Sequence, residues 1–145
     1  MAVQREVVKL LSVGIVVTLI LAAGCSKGTV VSKQTERGAF RVKLAYEGET
    51  LQKGRNEVRI HIDDSSGKSV EGAVIEITPW MPEHNHGTTW TPGITDKNNG
   101  EYQAVIPLFM GGHWEFRFKV SKDGVEDRVV FDFPNVRENK QDSQQ

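Results

Sequence analysis

Trp114-Glu115-Phe116-Arg117-Phe118-Lys119-Val120 is the stretch that decides the fold. Large apolar side chains alternate with charged ones without a break, and a period of two places them on opposite faces of an extended strand. The same alternation recurs on either side. Downstream run Val129, Phe131 and Phe133. Upstream run Tyr102, Ala104 and Ile106; Ala73, Ile75 and Ile77; Val58, Ile60 and Ile62; and Phe40, Val42, Leu44 and Tyr46. No stretch after residue 25 shows helical spacing over three turns.

The connections agree. Asp64-Ser65-Ser66-Gly67, Asn98-Asn99-Gly100 and Lys122-Asp123-Gly124 are turn sequences in which Gly and Asn accept positive φ cheaply. Six runs plus a short one over 88–91 predict about seven strands. That count and spacing predict an all-β fold, an immunoglobulin-like antiparallel β-sandwich. The chain has a single cysteine, so the Cys-Trp-Cys pattern of antibody domains is absent.

The sandwich is expected over residues 38–133, long enough for one core. Ahead of it, Arg5 and Lys9 precede an apolar run from Leu10 to Ala23 that ends at Leu21-Ala22-Ala23-Gly24-Cys25. This pattern predicts a lipoprotein signal peptide over 1–24, cleaved before Cys25, whose sulfur then carries lipid. An uncleaved membrane anchor is the alternative reading of the same run. Either way the rest of the chain faces a compartment outside the cytosol, on the periplasmic side of the outer membrane if the source is Gram-negative. Residues 25–37 read as the acylated Cys and a flexible polar tether, and 134–145 as a polar C-terminal tail.

The full chain has 18 basic and 19 acidic residues. Without Arg5, Lys9 and Glu6 the remainder holds 16 and 18, a formal net charge of −2. No basic tract exceeds two residues, which argues against nucleic acid as a partner.

Two loops carry the chemistry. Trp80-Met81-Pro82-Glu83-His84-Asn85-His86-Gly87 follows the third predicted strand, and Met110-Gly111-Gly112-His113-Trp114 enters the sixth. If each successive strand reverses direction, with the short strand at 88–91 counted, both loops emerge at one pole. Met81, His84, His86, Met110 and His113 are therefore the candidate metal ligands. Imidazoles with thioethers, in a chain without a usable thiol, suit copper as Cu(I) or Cu(II). Core packing is the competing reading for both methionines, and a surface position for His113. His61, mid-strand on a polar face, is expected to be an ordinary solvated side chain.

The residues from Pro79 to Gly87, then Pro92, Gly100-Glu101-Tyr102 and Pro107 to Phe116, resemble the YtkA-like/FixH-type domain family. Met81, Pro82, His86 and Gly87 match its Met-Pro…His-Gly loop. Gly100 and Tyr102 match its Gly-x-Tyr strand start, and Met110, Gly112 and Trp114 its Met-x-Gly-x-Trp entry. The resemblance implies a small extracytoplasmic β-sandwich, membrane-tethered in many members. It also implies a link, in some FixH-type members, to assembly of copper-containing terminal oxidases.

The sequence lacks a Gly-x-Ser-x-Gly elbow, a phosphate-cradling Gly loop and a free cysteine nucleophile, so no enzyme is expected. Two readings follow. One is a lipid-anchored protein that binds or presents copper. The other is a metal-free interaction module, accessory to a membrane efflux or oxidase-assembly complex, that docks through Trp80, Pro82 and Trp90.

Overall fold

The computed structural model describes residues 27–88 and 92–138. The targeting segment 1–24, the lipidation site Cys25 and Trp90 lie outside them, as does the tail from residue 139.

Nine strands occupy the described residues: β1 (Gly28–Gln34), β2 (Phe40–Glu47), β3 (Gly54–Asp64), β4 (Val74–Met81), β5 (His86–Gly87), β6 (Ile94–Asp96), β7 (Glu101–Leu108), β8 (Gly112–Lys122) and β9 (Val125–Val136). One 3-10 turn, Pro82–His84, interrupts them. The strands form two antiparallel sheets, ordered β1-β2-β3-β7-β6 and β5-β4-β8-β9. The molecule is an immunoglobulin-like β-sandwich.

The alternation in β8 is realised as read. Trp114, Phe116, Phe118 and Val120 are buried, while Glu115, Arg117 and Lys119 face outward. They meet Val42, Leu44, Ile60, Ile62 and Ile106 of the opposite sheet in one core. Tyr46 and Phe133 cross the interface edge to face, with ring centroids 5.7 Å apart. Each such buried aromatic contributes roughly 1.5–3 kcal/mol from the removal of apolar surface from water.

The Gly-x-Tyr pair has a packing reason. Tyr102 donates its hydroxyl proton to the Val70 carbonyl at 2.7 Å and accepts from the Ala73 N–H at 2.9 Å, pinning the β3–β4 connection. Gly100 sits where a Cβ would stand 2.9 Å from the Ile62 carbonyl oxygen. Only a residue without a side chain admits that approach.

Three boundaries differ from expectation. The span read as tether contains β1, an edge strand held by backbone pairing to β2 from Gly28↔Glu47 to Gln34↔Arg41. Its side chains are mostly exposed on both faces, so it leaves no alternation to read. β9 runs through Pro134 to Val136, and the Arg137 backbone bonds with Leu51 and Lys53. A proline is tolerated there because β9 is an edge strand. The short strand expected at 88–91 falls almost wholly outside the described residues, and β5 and β6 flank it.

Candidate metal centre

The two loops do meet at one pole, through direct pairing of β4 with β8 in which Trp80 stands opposite Glu115. Pro82 opens the 3-10 turn. Asn85 closes it at φ 52, ψ 36, a left-handed conformation that Asn tolerates better than most residues. The chain then folds back so that His86 pairs with Met81 and Gly87 with Trp80.

This reversal turns His84 and His86 out to solvent with ring centroids 5.7 Å apart and planes tilted by 37°. Neither imidazole has a hydrogen bond or ion pair among the described residues. A ring nitrogen ligates a metal at about 2.0–2.1 Å, which places the ring centre about 3 Å from the ion. Two imidazoles sharing an ion therefore stand about 5–6 Å apart. The pair already has that separation.

Met110 lies on the same pole, 39% exposed, in a turn fixed by the Trp114 indole N–H donating to the Met110 carbonyl at 3.1 Å. Met81 does not share its position. It is 1% exposed and belongs to the core, its methyl 3.5 Å from where a Gly112 Cβ would lie. The thioether expected as a ligand there is a packing group.

His113 has a partner. Its Nε2 lies 2.5 Å from Asp132 Oδ1 on β9. The Asp132 hydrogen bond raises its pKa against the effect of burial, helped by the charges of Asp132, Glu83 and Glu115. A carboxylate on one ring nitrogen leaves Nδ1 for a metal, an arrangement common among metal-bound imidazoles. The raised pKa means that protons compete for that nitrogen more strongly than at an ordinary histidine.

The expected docking residues are less open than their types suggest. Arg117 lies over the Trp80 ring, 4.6 Å from its centroid, and is itself held by Glu115 Oε2 at 2.8 Å. Trp80 and Pro82 are each half-buried.

Sequence reasoning missed the surroundings of His61. It is not simply solvated: Nδ1 lies 2.6 Å from Glu101 Oε1 and Nε2 lies 2.8 Å from Asp63 Oδ1, with Lys43 on the other Asp63 oxygen at 2.9 Å. The cross-strand register that brings His61 opposite Glu101 supplies this contact, and sequence spacing alone carries no sign of it. Each ring nitrogen is occupied by a different carboxylate. Among the described residues no group of three or more His, Cys, Asp or Glu side chains is arranged to hold a metal. The pole thus offers two free imidazoles, one exposed thioether and one carboxylate-bound imidazole.

The family model described as YtkA-like matches residues 34–119, from the end of β1 into β8. Comparison with curated proteins finds no match. Among solved structures, the chain is similar to a DUF4785 family protein from Legionella pneumophila subsp. pneumophila str. Philadelphia 1, with a TM-score of 0.50 and 9% identity over 71% of this chain. It spans 30% of the length of that protein. It is also similar to FetP of uropathogenic E. coli strain F11, expressed recombinantly in the periplasm of E. coli, with a TM-score of 0.49 and 11% identity. That match covers 76% of this chain and 97% of FetP. At these identities the likeness concerns the fold alone.

Proposed function

The chain belongs to the YtkA-like family, as an extracytoplasmic β-sandwich module, and from that premise we propose that it is a membrane-tethered, non-catalytic protein that binds copper at its His84/His86 pole. The tether is the lipid on Cys25, and the partner it serves is a membrane protein complex that takes or gives the ion.

One observation carries the reading: His84 and His86 project together, without partners, at the separation of two rings on a shared ion. Met110 adds a soft donor on the same pole. Two imidazoles and a thioether suit Cu(I), and the imidazoles retain affinity for Cu(II). A low donor count also suits transfer, since an open position lets a second protein's ligand enter. No catalytic step is assigned to the domain.

The test is a spectroscopic titration of the membrane-extracted protein with Cu(I) and with Cu(II). One ion per chain, abolished in the His84→Ala/His86→Ala variant, is the expected result. Binding that is unchanged in that variant would overturn the site.

A further inference from the structure

We propose that the pole bearing Phe109 and Met110 seats directly on the lipid surface, so that the domain stands on its β7–β8 turn with the His84/His86 pair held at the bilayer interface. The proposal rests on the tether reading above for the identity of the anchor.

Topology supplies the first argument. β1 begins, and β4, β7 and β9 end, at this same pole. The chain enters the domain at Gly28, three residues after Cys25, and three extended residues reach at most about 10 Å. Gly28 pairs with Glu47 on β2. The adjoining register carries that level across β3 at Glu57 to Val105 on β7. Leu108 lies three residues beyond Val105, about 10 Å further out at a strand's rise. An anchor on Cys25 lies no more than about 10 Å from Gly28, which is also how far the end of β7 projects past that level. A link this short keeps the pole where β1 begins close to the membrane.

The residues at the tip supply the second argument. Phe109 is 66% exposed and stands beside the exposed Met110. The turns at the far pole present Ser65, Ser66, Asn98, Asn99 and Asp123, and the exposed apolar residues there, Val74 and Val125, open strands and include no aromatic ring. An aromatic and a thioether on a protruding turn are what an acyl–headgroup boundary accepts, and binding there grows with the apolar area buried. Three acids at this pole each face a base: Glu49 lies 3.5 Å from Arg137, Glu57 3.4 Å from Arg55 and Glu138 3.3 Å from Lys53. Those three charges are offset, while Glu47 and Glu83 at the same pole are exposed without an ion pair among the described residues, so the seating rests on the apolar tip and not on charge.

The test places a nitroxide on the full chain as Met110→Cys, which keeps Phe109, and as Ser66→Cys on the far pole. Both are reconstituted in phosphatidylethanolamine/phosphatidylglycerol vesicles. Collision rates with oxygen and with a water-soluble nickel chelate report depth. The label at 110 is expected to favour oxygen several-fold over the label at 66, and to lose that preference when Phe109→Asp is added. A label at 110 as wet as the one at 66 would overturn the proposal. So would one shielded from both probes, since that would mark a protein partner or a second copy on the turn. Intact mass of the same samples separates the anchor from the seating. A chain without acyl mass whose 110 label still meets lipid would overturn the lipid on Cys25 and leave the seating of the pole standing.

Discussion

Gly87 lies against the Trp80 indole so closely that a Cβ on it would stand 3.0 Å from ring atom Cε3 and 2.9 Å from the Pro79 carbonyl oxygen. Trp80 is thereby held between β5 and the Arg117 guanidinium, and the 3-10 turn that carries His84 begins two residues later. Gly87→Ala is expected to cost about 1–3 kcal/mol through this overpacking and to shift the environment of Trp80. Denaturant unfolding followed by tryptophan fluorescence checks both. Unchanged stability would show that the pole yields at no cost.

A second prediction concerns acid. Asp127, 2% exposed on β9, accepts from the Thr35 hydroxyl at 2.7 Å and from the N–H groups of Arg37, Ala39 and Arg128. Burial opposes its charge. The Thr35 hydroxyl and those N–H groups outweigh burial and hold the carboxyl at about 2. A depressed folded value gives stability that is fully present above the ordinary carboxylate range and is lost as pH falls from about 4 through about 2. Asp127→Asn should cost roughly 2–3 kcal/mol near neutral pH. It should also flatten the pH dependence across that acid window, as read by thermal unfolding at stepped pH.

The core register makes a third demand. Phe116 is fully buried, with its ring centroid 4.7 Å from that of Phe133, so Phe116→Ala should cost about 3–5 kcal/mol. Against a total of about 5–15 kcal/mol, that is a large share of the stability. Glu115→Ala on the outer face gives up one surface contact with Arg117 and should cost under about 1 kcal/mol. Equal losses in chemical denaturation would contradict the assigned faces.

What could be read ahead of the structure follows from where the information lies. β8 was legible because half-burial writes itself into side-chain type, residue by residue. β1 was not, because backbone pairing to β2 holds it while its side chains stay exposed on both faces. The end of β9 was hidden for the same reason: backbone bonds to Leu51 and Lys53 hold Arg137 in place. Convergence of the two loops was expected through a strand at 88–91, but it comes from the pairing of β4 with β8. The two methionines could not be separated by type. The register sends Met81 inward, and the β7–β8 turn leaves Met110 out. The partners of His113 and His61 sit on neighbouring strands, and only register brings them into contact.

The methionines now give separate predictions for copper. Met110→Leu keeps apolar volume while removing an exposed sulfur, so Cu(I) affinity should fall with folding nearly unchanged. Met81→Leu alters a buried packing group and should leave both copper affinities as they were. A larger loss of Cu(I) binding with Met81→Leu would place the thioether ligand in the core. Isothermal competition against a Cu(I) chelator measures both variants.

The most direct test remains copper stoichiometry at the His84/His86 pair, in wild type beside His84→Ala/His86→Ala and His61→Ala. One ion per chain is predicted for wild type and for His61→Ala, whose ring is taken up by Asp63 and Glu101, and none for the double variant. Protons compete for the imidazole nitrogens, so the wild-type affinity should also fall on acidification. If wild type binds no more copper than the double variant, the pair holds no ion and the pole is a metal-free docking surface.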